Sequence, residues 1–331
     1  MTQHASPQAI IGRVLALDVA RATEAAAMAA ARFVGRGDER AADRAASLAM
    51  RQVLAATPMR GTVAVGADPD PAEGLFCAGE PVGTGEGPEV DVAIAPLEGA
   101  TICATGAPNA MACLAFAPRD GLLRVPPLYM DKIAVGPDVP PDVVSLDQSP
   151  ADNVRAVSRA RGVDVSALTV CVLDRPRNEE LVEALRETGC RLMLILDGDV
   201  SGALAAGLPE NGVDMYMGSG GAAEGVLAAA GLRCLGGTLQ GRLLLRTPAE
   251  RALVREFGFP GEADRLLGMD DFVPGEAVFA ATGVTDGTLL RGVRFTADGV
   301  CSQTMILKSC SGTRRVIDSR HARVGARISG D

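Results

Sequence analysis

Aromatic residues are scarce in this sequence and tryptophan is absent: only 3 % of the 331 residues are aromatic, whereas 47 % are hydrophobic. A core with so few large rings must be packed from Ala, Val and Leu. A chain of this length can bury a sizeable core in one large domain or in two. Strand-like and helix-like patterns alternate along the chain, so we predict an α/β layered fold.

Lysine is nearly absent as well, with only Lys132 and Lys308, and the net charge is -9. An acidic balance is atypical of proteins that bind nucleic acid or anionic membranes, so we expect neither as a partner. Almost all the basic charge is arginine. Arginine suits planar, bidentate contacts to phosphate, although an arginine bias can equally reflect the composition of the genome.

The cysteines lack the spacing of a metal or redox motif, since no pair reads Cys-x-x-Cys. Most lie in apolar runs, which is typical of buried free thiols in a reducing compartment. The sequence also lacks an uncharged apolar run of about 18 residues, so no membrane span is predicted. Its first residues, MTQHASPQAI, do not resemble a signal peptide. We therefore expect a cytoplasmic protein.

The first half of the chain predicts two helices followed by short strands. Ala-rich stretches predict helices over Ser6–Val34 and Glu39–Ala55, the first beginning with a typical Ser-Pro cap. Strands are predicted over Gly61–Gly66, Leu75–Glu80 and Val90–Ala95. The small, apolar segment Thr105–Pro118 fits a helix or a strand equally well.

A Pro-rich, irregular segment, Pro137–Pro150, predicts a boundary between residues 1–145 and residues 146–331. Beyond it, strands and helices alternate clearly. Strands are predicted over Leu168–Asp174, Arg191–Leu196 and Val213–Met217, and helices over Asn178–Thr188, Val200–Ala206 and a stretch ending at Ala230.

Three polar loops follow the predicted strands of the second half, at the strand ends where α/β proteins bind ligands. Arg175-Pro176-Arg177 places two guanidinium groups on a stiff turn, and Asp197-Gly198-Asp199 offers carboxylates to sugar hydroxyls. The segment Gly218–Gly225 is interpreted as a Gly-rich loop that offers N–H groups to an anion at a helix start. Each alone is more often an ordinary turn or surface. Together they indicate a phosphorylated, polar metabolite.

A set of short motifs occurs in order along the chain: GRGD at 35–38, GTGEG at 83–87, VDVAIAPLEG at 90–99, LYMDK at 128–132, RPR at 175–177, DGD at 197–199, GGAAEG at 220–225 and ATGVTDG at 281–287. This ordered set resembles the class II fructose-1,6-bisphosphatases, within the lithium-sensitive sugar and inositol phosphatase superfamily. The resemblance implies a layered α-β-α-β-α fold with two α/β subdomains and the site between them. It also implies Mg²⁺- or Mn²⁺-dependent hydrolysis of fructose 1,6-bisphosphate, or of sedoheptulose 1,7-bisphosphate, by a homodimer or homotetramer.

The resemblance implies a metal-binding, catalytic subdomain in residues 1–145 and a sugar-phosphate-binding subdomain in residues 146–331. The family's substrate contacts correspond to Glu98, Gly99, Ala100, Tyr129, Arg175, Pro176, Arg177, Asp197, Gly198, Asp199 and Gly221. With the exception of Ala100, which stands where the family has threonine, this pocket resembles the family's pattern.

The metal-binding positions match the family less well. The family's ligands correspond to Asp43, Ala67, Ala95, Glu98 and Glu224, and the two alanines cannot ligate a hard cation, which needs oxygen ligands. A one-residue shift could let Asp68 replace the acid lost at Ala67, so the candidate ligands are Asp43, Asp68, Glu98 and Glu224. Without the resemblance, Asp43 would be read as an ordinary helix residue and Glu224 as a helix cap.

Other family positions near the metal also differ: Glu39 stands for a lysine and Pro71 for an aspartate. We therefore interpret the chain as a sugar-phosphate-binding paralogue with a degenerate metal centre, acting as a sensor or as the partner subunit of an active relative in a hetero-oligomer. The alternative is an active bisphosphatase with a remodelled metal site, in gluconeogenesis or the Calvin cycle. A third reading is a different, metal-free reaction on a phosphorylated sugar.

Overall fold

Two mixed β-sheets with helices packed on their faces form the framework of the molecule. A computed structural model describes residues 15–66 and 76–322. In these residues the helices are α1 (Ala16–Ala30), α2 (Glu39–Ala55), α3 (Ala100–Thr105), α4 (Pro150–Arg161), α5 (Glu179–Glu187), α6 (Asp199–Ala206), α7 (Ala222–Leu235), α8 (Pro248–Phe257) and α9 (Met269–Phe272). The strands are β1 (Arg60–Val65), β2 (Pro81–Val82), β3 (Glu89–Glu98), β4 (Met111–Pro118), β5 (Tyr129–Val135), β6 (Thr169–Leu173), β7 (Arg191–Ile195), β8 (Met215–Gly221), β9 (Thr238–Leu243), β10 (Val278–Gly283), β11 (Arg294–Thr296), β12 (Gly299–Lys308) and β13 (Thr313–Ala322).

The two sheets differ in strand direction. The first has the order β11-β12-β10-β4-β3-β1-β2, with β13 paired to β12, and only β1 and β3 run parallel within it. The second has the order β7-β6-β8-β5-β9, in which β6 is parallel to both of its neighbours and β5 is antiparallel to both of its own. The second sheet therefore contains the βα alternation that the sequence predicted.

Three hydrophobic clusters show how the layers stack. Helices α1 and α2 pack on one face of the first sheet, and α4 and α5 pack on one face of the second. Helix α7 lies between the sheets and contacts both, and α6 packs beside it on the second sheet, with its N-terminus hydrogen-bonded to Glu98 of the first. A helix enclosed on all sides is apolar all round, which explains why α7 reads AAEGVLAAAGLRCL. The predicted α-β-α-β-α layering is confirmed.

Several local predictions are confirmed. Helix α2 has the predicted bounds, and the side chain of Asp38 caps it by accepting a hydrogen bond from the Ala41 N–H. Helix α1 lies within the predicted first helix, whereas its predicted start at Ser6 lies outside the described residues. The segment Thr105–Pro118 divides into the end of helix α3 and strand β4. The eight cysteines are free thiols, half of them buried.

Two local predictions are wrong. Residues 76–80, in place of the predicted strand over Leu75–Glu80, form a turn in which Phe76 and Gly79 have positive φ. The Glu80 carboxylate accepts a hydrogen bond from the Cys77 N–H and closes this turn. The predicted loop over Gly218–Gly225 is no loop either, because strand β8 continues through Gly221 and helix α7 follows at once. The antiparallel pairing of β8 with β5 holds those glycines extended.

The predicted division between residues 1–145 and 146–331 stays a prediction, and the sheets do not follow it. Strand β5 precedes residue 145 but pairs with β8 and β9 of the second sheet. Strands β10 to β13 return to the first sheet after the second is complete. Within the described part of the chain, no helix combines the length and the apolar character needed to cross a bilayer.

Candidate active site between the sheets

Strand β3 carries the first candidate acid to the middle layer. Its register with β4 shifts between Ala95 and Glu98, where the strand ends, and Gly99, with a φ of 85°, then turns the chain into helix α3. The Glu98 side chain is buried, and its Oε1 accepts a hydrogen bond of 2.8 Å from the Val200 N–H in the first turn of α6. Glu98, from the first sheet, thus binds the N-terminus of α6, the helix that follows strand β7 of the second sheet. The positive end of the helix dipole there favours its negative charge.

The Asp197-Gly198-Asp199 turn begins helix α6. Gly198 has a φ of 89°, and Asp199 is the first residue of the helix. The buried Asp199 carboxylate is held within the protein: Lys132 Nζ lies 2.5 Å from its Oδ2, and the Tyr216 hydroxyl donates to its Oδ1. Asp197 is half-buried, and burial raises its pKa. Of the two predicted sugar contacts, Asp197 therefore has the more available carboxylate, and both stay predictions.

The second candidate acid, Glu224, lies in the first turn of helix α7. Its carboxylate folds back over Gly221, so closely that a Cβ on Gly221 would stand 1.9 Å from Glu224 Oε2. Gly221 pairs across the sheet with Tyr129 at the start of β5. A side chain at this position would push the Glu224 carboxylate aside, so glycine lets that carboxylate lie over the end of β8, next to the start of β5.

Glu98 and Glu224 form an acid pair in the middle layer. Burial and then the charge of Glu224 raise the pKa of Glu98 well above its usual range. Burial also raises the pKa of Glu224, while the ammonium group of Lys132 acts against that rise. The thiol of Cys113 lies near enough that both acids add to the effect of burial in raising its pKa. Because the two carboxylates repel each other and are buried away from water, a nearby cation would stabilise their charged forms.

The chemistry of this pair fits a hard divalent cation. Mg²⁺ is commonly held by one or two carboxylates together with waters and substrate phosphates, which is what Glu98 and Glu224 can offer. Within residues 15–66 and 76–322, no group of three or more potential protein ligands stands close enough to hold a metal by itself. Water and the phosphate of a bound sugar can supply further oxygen ligands.

The other candidate metal positions are dispersed. Asp43 lies half-buried in helix α2, which packs against β3 and α3 on the outer side of the first sheet. Ala95 is half-buried at the irregularity in β3, opposite Cys113 of β4. Asp68 and Ala67 lie outside the described residues. The predicted ligand set of Asp43, Asp68, Glu98 and Glu224 stays a prediction.

The Arg175-Pro176-Arg177 turn is tied firmly to the end of strand β8. Arg177 Nε donates to the Ser219 carbonyl at 2.8 Å, and its guanidinium lies 4.7 Å from the centre of the Tyr129 ring. The buried side chain of Asn178 exchanges further hydrogen bonds with the Ser219 backbone. These contacts hold a cationic group over an aromatic ring at the same sheet edge as Gly221, a geometry that suits a phosphate group.

The remaining substrate positions lie around this centre. Arg175 is near enough to Asp197 for its charge to lower the pKa of that carboxyl, against the larger effect of burial. Gly99 and Ala100 follow Glu98 directly at the start of α3. The structure thus brings together positions from β3, β5, β8 and the turns before α5 and α6, although the sequence separates them widely.

Sequence reasoning missed the polar residues that hold these turns. Lys132, Tyr216 and Asn178 make the contacts described above but are absent from the predicted site. One signal was available for Lys132: at strand spacing it shares a face with the apolar residues Met130 and Ala134. A buried charge must be paired, which indicates a partner acid elsewhere in the chain.

Comparison with known proteins gives the same family as the motifs. Residues 13–321 match the family described as bacterial fructose-1,6-bisphosphatase, glpX-encoded. The D-fructose 1,6-bisphosphatase class 2/sedoheptulose 1,7-bisphosphatase of Synechococcus sp. strain JA-3-3Ab is 38 % identical over 336 residues, which cover 94 % of this chain and 96 % of the relative. The fructose-1,6-bisphosphatase 1 class 2 of Escherichia coli K12 is 36 % identical over 321 residues, covering 93 % and 95 % respectively.

Proposed function

The chain belongs to the bacterial, glpX-encoded fructose-1,6-bisphosphatase family, and we propose that it is an active, divalent-metal-dependent sugar bisphosphatase. Its substrate is fructose 1,6-bisphosphate or sedoheptulose 1,7-bisphosphate, the sugars that occur in the names of its relatives. The observation that carries the proposal is the buried pair Glu98 and Glu224 beside the Arg177–Tyr129 cluster. This proposal favours the alternative drawn from the sequence over the non-catalytic interpretation.

The chain's own residues would bind and orient the substrate. Arg175 and Arg177 neutralise the phosphate that does not react, and Asp197 accepts hydrogen bonds from sugar hydroxyls. The reacting phosphate lies near Gly221, where the N-terminus of α7 favours an anion. Hydrolysis breaks the ester P–O bond and bonds phosphorus to the oxygen of water, and a proton of that water ends on the departing sugar oxygen.

Mg²⁺ or Mn²⁺ would be held by Glu98 and Glu224, with Asp43 and Asp68 as further candidate ligands. When bound, the cation polarises the phosphoryl group and makes water more acidic. The Val200 N–H keeps Glu98 in place for this role at 2.8 Å. Burial of both carboxylates excludes water that would otherwise weaken their interaction with the cation.

A second candidate function is supported by position 95. Ala95 offers a methyl group where a further carboxylate would help to hold a cation, and Ala100 lacks a hydroxyl beside Glu98. With those groups missing, the pocket could bind a sugar bisphosphate without hydrolysing it. This is the non-catalytic, regulatory protein that the sequence first suggested.

An assay of phosphate release distinguishes the active bisphosphatase from the non-catalytic binding protein. Purified protein is incubated with each bisphosphate and with Mn²⁺ or Mg²⁺, and we expect turnover in the usual enzyme range of about 1–10³ s⁻¹. Glu98→Gln and Glu224→Gln serve as inactive controls. Folded protein that releases no phosphate from either sugar with either metal would refute the active enzyme, and stabilisation by the sugars without metal would then support the second function.

A cytoplasmic location and assembly as a homodimer or homotetramer, or as a hetero-oligomer with a relative, stay predictions of the sequence. Light scattering coupled to gel filtration would test the homo-oligomer. Co-purification from cells that contain an active relative would test the hetero-oligomer.

A further inference from the structure

Lys132 is a buried cation within the acidic centre. It lies on β5, on the face that Met130 and Ala134 direct toward the helices between the sheets. Its side chain is 1 % exposed. The ammonium group lies 2.5 Å from Asp199 Oδ2 and donates to the Gly221 carbonyl at 2.7 Å. It thus joins the first residue of α6 to the last residue of β8.

The surrounding backbone is shaped to admit this side chain. Its cross-strand neighbours on both sides are glycines, Gly218 of β8 and Gly241 of β9. A Cβ on Gly220 would lie 2.9 Å from Lys132 Nζ, and one on Gly225 would lie 3.2 Å from its Cδ. Glycines of two elements, β8 and α7, therefore make room for the lysine side chain.

A buried ammonium group is costly, because its desolvation costs several kcal/mol even when it is paired. Well-packed apolar residues in place of Lys132 and Asp199 would stabilise such a core at least as well. The charge therefore calls for an explanation beyond stability. The two groups that the ammonium contacts suggest such an explanation. Asp199 adjoins the residue that binds Glu98, and Gly221 lies under the carboxylate of Glu224.

Asp199 precedes Val200, whose N–H holds Glu98. Gly221 is covered by the carboxylate of Glu224, which lies one helical turn further along. The ammonium group of Lys132 therefore fixes two helix N-termini relative to each other, and each of them determines the place of one acid. The Tyr216 hydroxyl on the second oxygen of Asp199 prevents that carboxylate from turning away.

We propose that Lys132 is a positioning residue of the metal site: it links α6 to α7 and thereby sets the separation of Glu98 and Glu224. The inference rests on the proposed function. Lys132 is enclosed beneath both helix starts, so it does not touch the substrate. It acts through its contacts with Asp199 and Gly221, and its charge also reaches Glu224. The Arg177–Tyr129 cluster is held by Ser219 and does not depend on it.

The test compares Lys132→Met with the wild type. The variant keeps an unbranched chain of similar length but loses the charge. We expect Mn²⁺ affinity, measured by calorimetry without substrate, and kcat each to fall by about 10-fold or more, as for other changes behind a metal ligand. KM for fructose 1,6-bisphosphate, at saturating Mn²⁺, should change by less than about threefold, because the phosphate cluster is unaltered.

Loss of the cation also leaves Asp199 buried and unpaired, which could destabilise the fold. The double variant Lys132→Met, Asp199→Asn removes both charges and should recover thermal stability. Measured against Asp199→Asn alone, it should still bind Mn²⁺ about 10-fold more weakly. Ile133→Val, on the opposite face of the same strand, is the matched control and should lower stability while kcat remains at the wild-type value.

Two results would overturn the role of Lys132. One is Mn²⁺ affinity and kcat within about twofold of the wild type in Lys132→Met. The other is a double variant that binds Mn²⁺ as Asp199→Asn does. Failure of the proposed function would be seen instead in the wild type, as an absence of both phosphate release and Mn²⁺ binding.

Discussion

Position 95 illustrates how a single side chain bears on the chemistry. Ala95 and its partner Cys113 lie on the same face of the first sheet, which is directed toward the middle layer. The charges of Glu98 and Glu224 reach Cys113, and Ala95 lies next to Cys113 on that face. A carboxylate at this place would therefore join the acid pair.

Ala95→Asp should raise the affinity for Mn²⁺ by about 10-fold or more, since it adds an oxygen ligand where the pair lacks one. The midpoint of a Mn²⁺ titration, followed by phosphate release, measures the effect. Ala95→Asn matches the shape without the charge and should leave the midpoint near that of the wild type. Equal midpoints for the aspartate and asparagine variants would contradict the prediction.

Arg177 acts through geometry as well as charge. Arg177→Lys keeps the positive charge but loses both the planar contact with Tyr129 and the donor to Ser219. We expect KM for fructose 1,6-bisphosphate to rise about 10-fold with little change in kcat, because lysine cannot reproduce a planar, bidentate contact. Steady-state kinetics measure this, with the exposed Arg186→Lys as control. An unchanged KM would place the phosphate elsewhere.

At the scale of elements, the junction of β8 and α7 is the least ordinary feature. Strand β8 ends in a glycine-rich segment that passes directly into helix α7 without an intervening loop. The glycines follow from what lies against them: the Asn178 amide against Gly218, Asp199 and Lys132 against Gly220, and Glu224 against Gly221. The close approach of polar side chains to the backbone explains this composition. A positive φ does not, because neither Gly220 nor Gly221 has one.

Gly220→Ala should therefore destabilise the protein. A Cβ there would lie 1.9 Å from Asp199 Oδ2, and overpacking of this kind costs about 1–3 kcal/mol in the free energy of unfolding. Urea unfolding measures the loss. Gly275→Ala, where nothing lies within 4 Å of the added Cβ, is the control and should be neutral or slightly stabilising. Two variants of equal stability would show that Asp199 can move aside freely.

At the scale of the molecule, the layers determine where the acids meet. Glu98 ends a strand of the first sheet, Glu224 begins a helix after a strand of the second, and the middle layer closes over both. Burial of two like charges between the sheets costs stability for as long as no cation is bound. The acid pair therefore lowers the stability of the fold when no cation is bound.

This cost should appear as a dependence of stability on pH. Folding raises the pKa of Glu98 and Glu224, so above about pH 4.5 the native state binds more protons than the unfolded state. The free energy of unfolding should therefore fall as the pH rises from there through the raised pKa values. Carboxyls whose pKa folding lowers, such as Asp152 and Asp286, act in the opposite direction, at lower pH.

Urea unfolding in EDTA at pH values from about 5 to 8 measures this slope. The double variant Glu98→Gln, Glu224→Gln should show a flatter profile and higher stability than the wild type at the upper end. Mn²⁺ should stabilise the wild type there but not the variant. Identical slopes in the two proteins would mean that the acid pair does not titrate in this interval.

The sequence by itself determined the features that depend on neighbouring residues. The bounds of α2 and the strand–helix alternation after Pro150 were predictable, because the periodicity of apolar residues is a local signal. The ordered motifs were sufficient to predict the family and, through it, the layered fold.

Only the tertiary structure decided which polar groups meet. Lys132 contacts Asp199 and Gly221, and Glu98 holds Val200, across separations along the chain that no local pattern encodes. The same reason explains the errors: β5 keeps Gly218–Gly221 extended although their composition is that of a loop. Local free energies of a few tenths of a kcal/mol per residue set helices and turns, but burial and pairing between sheets are larger and decide the site.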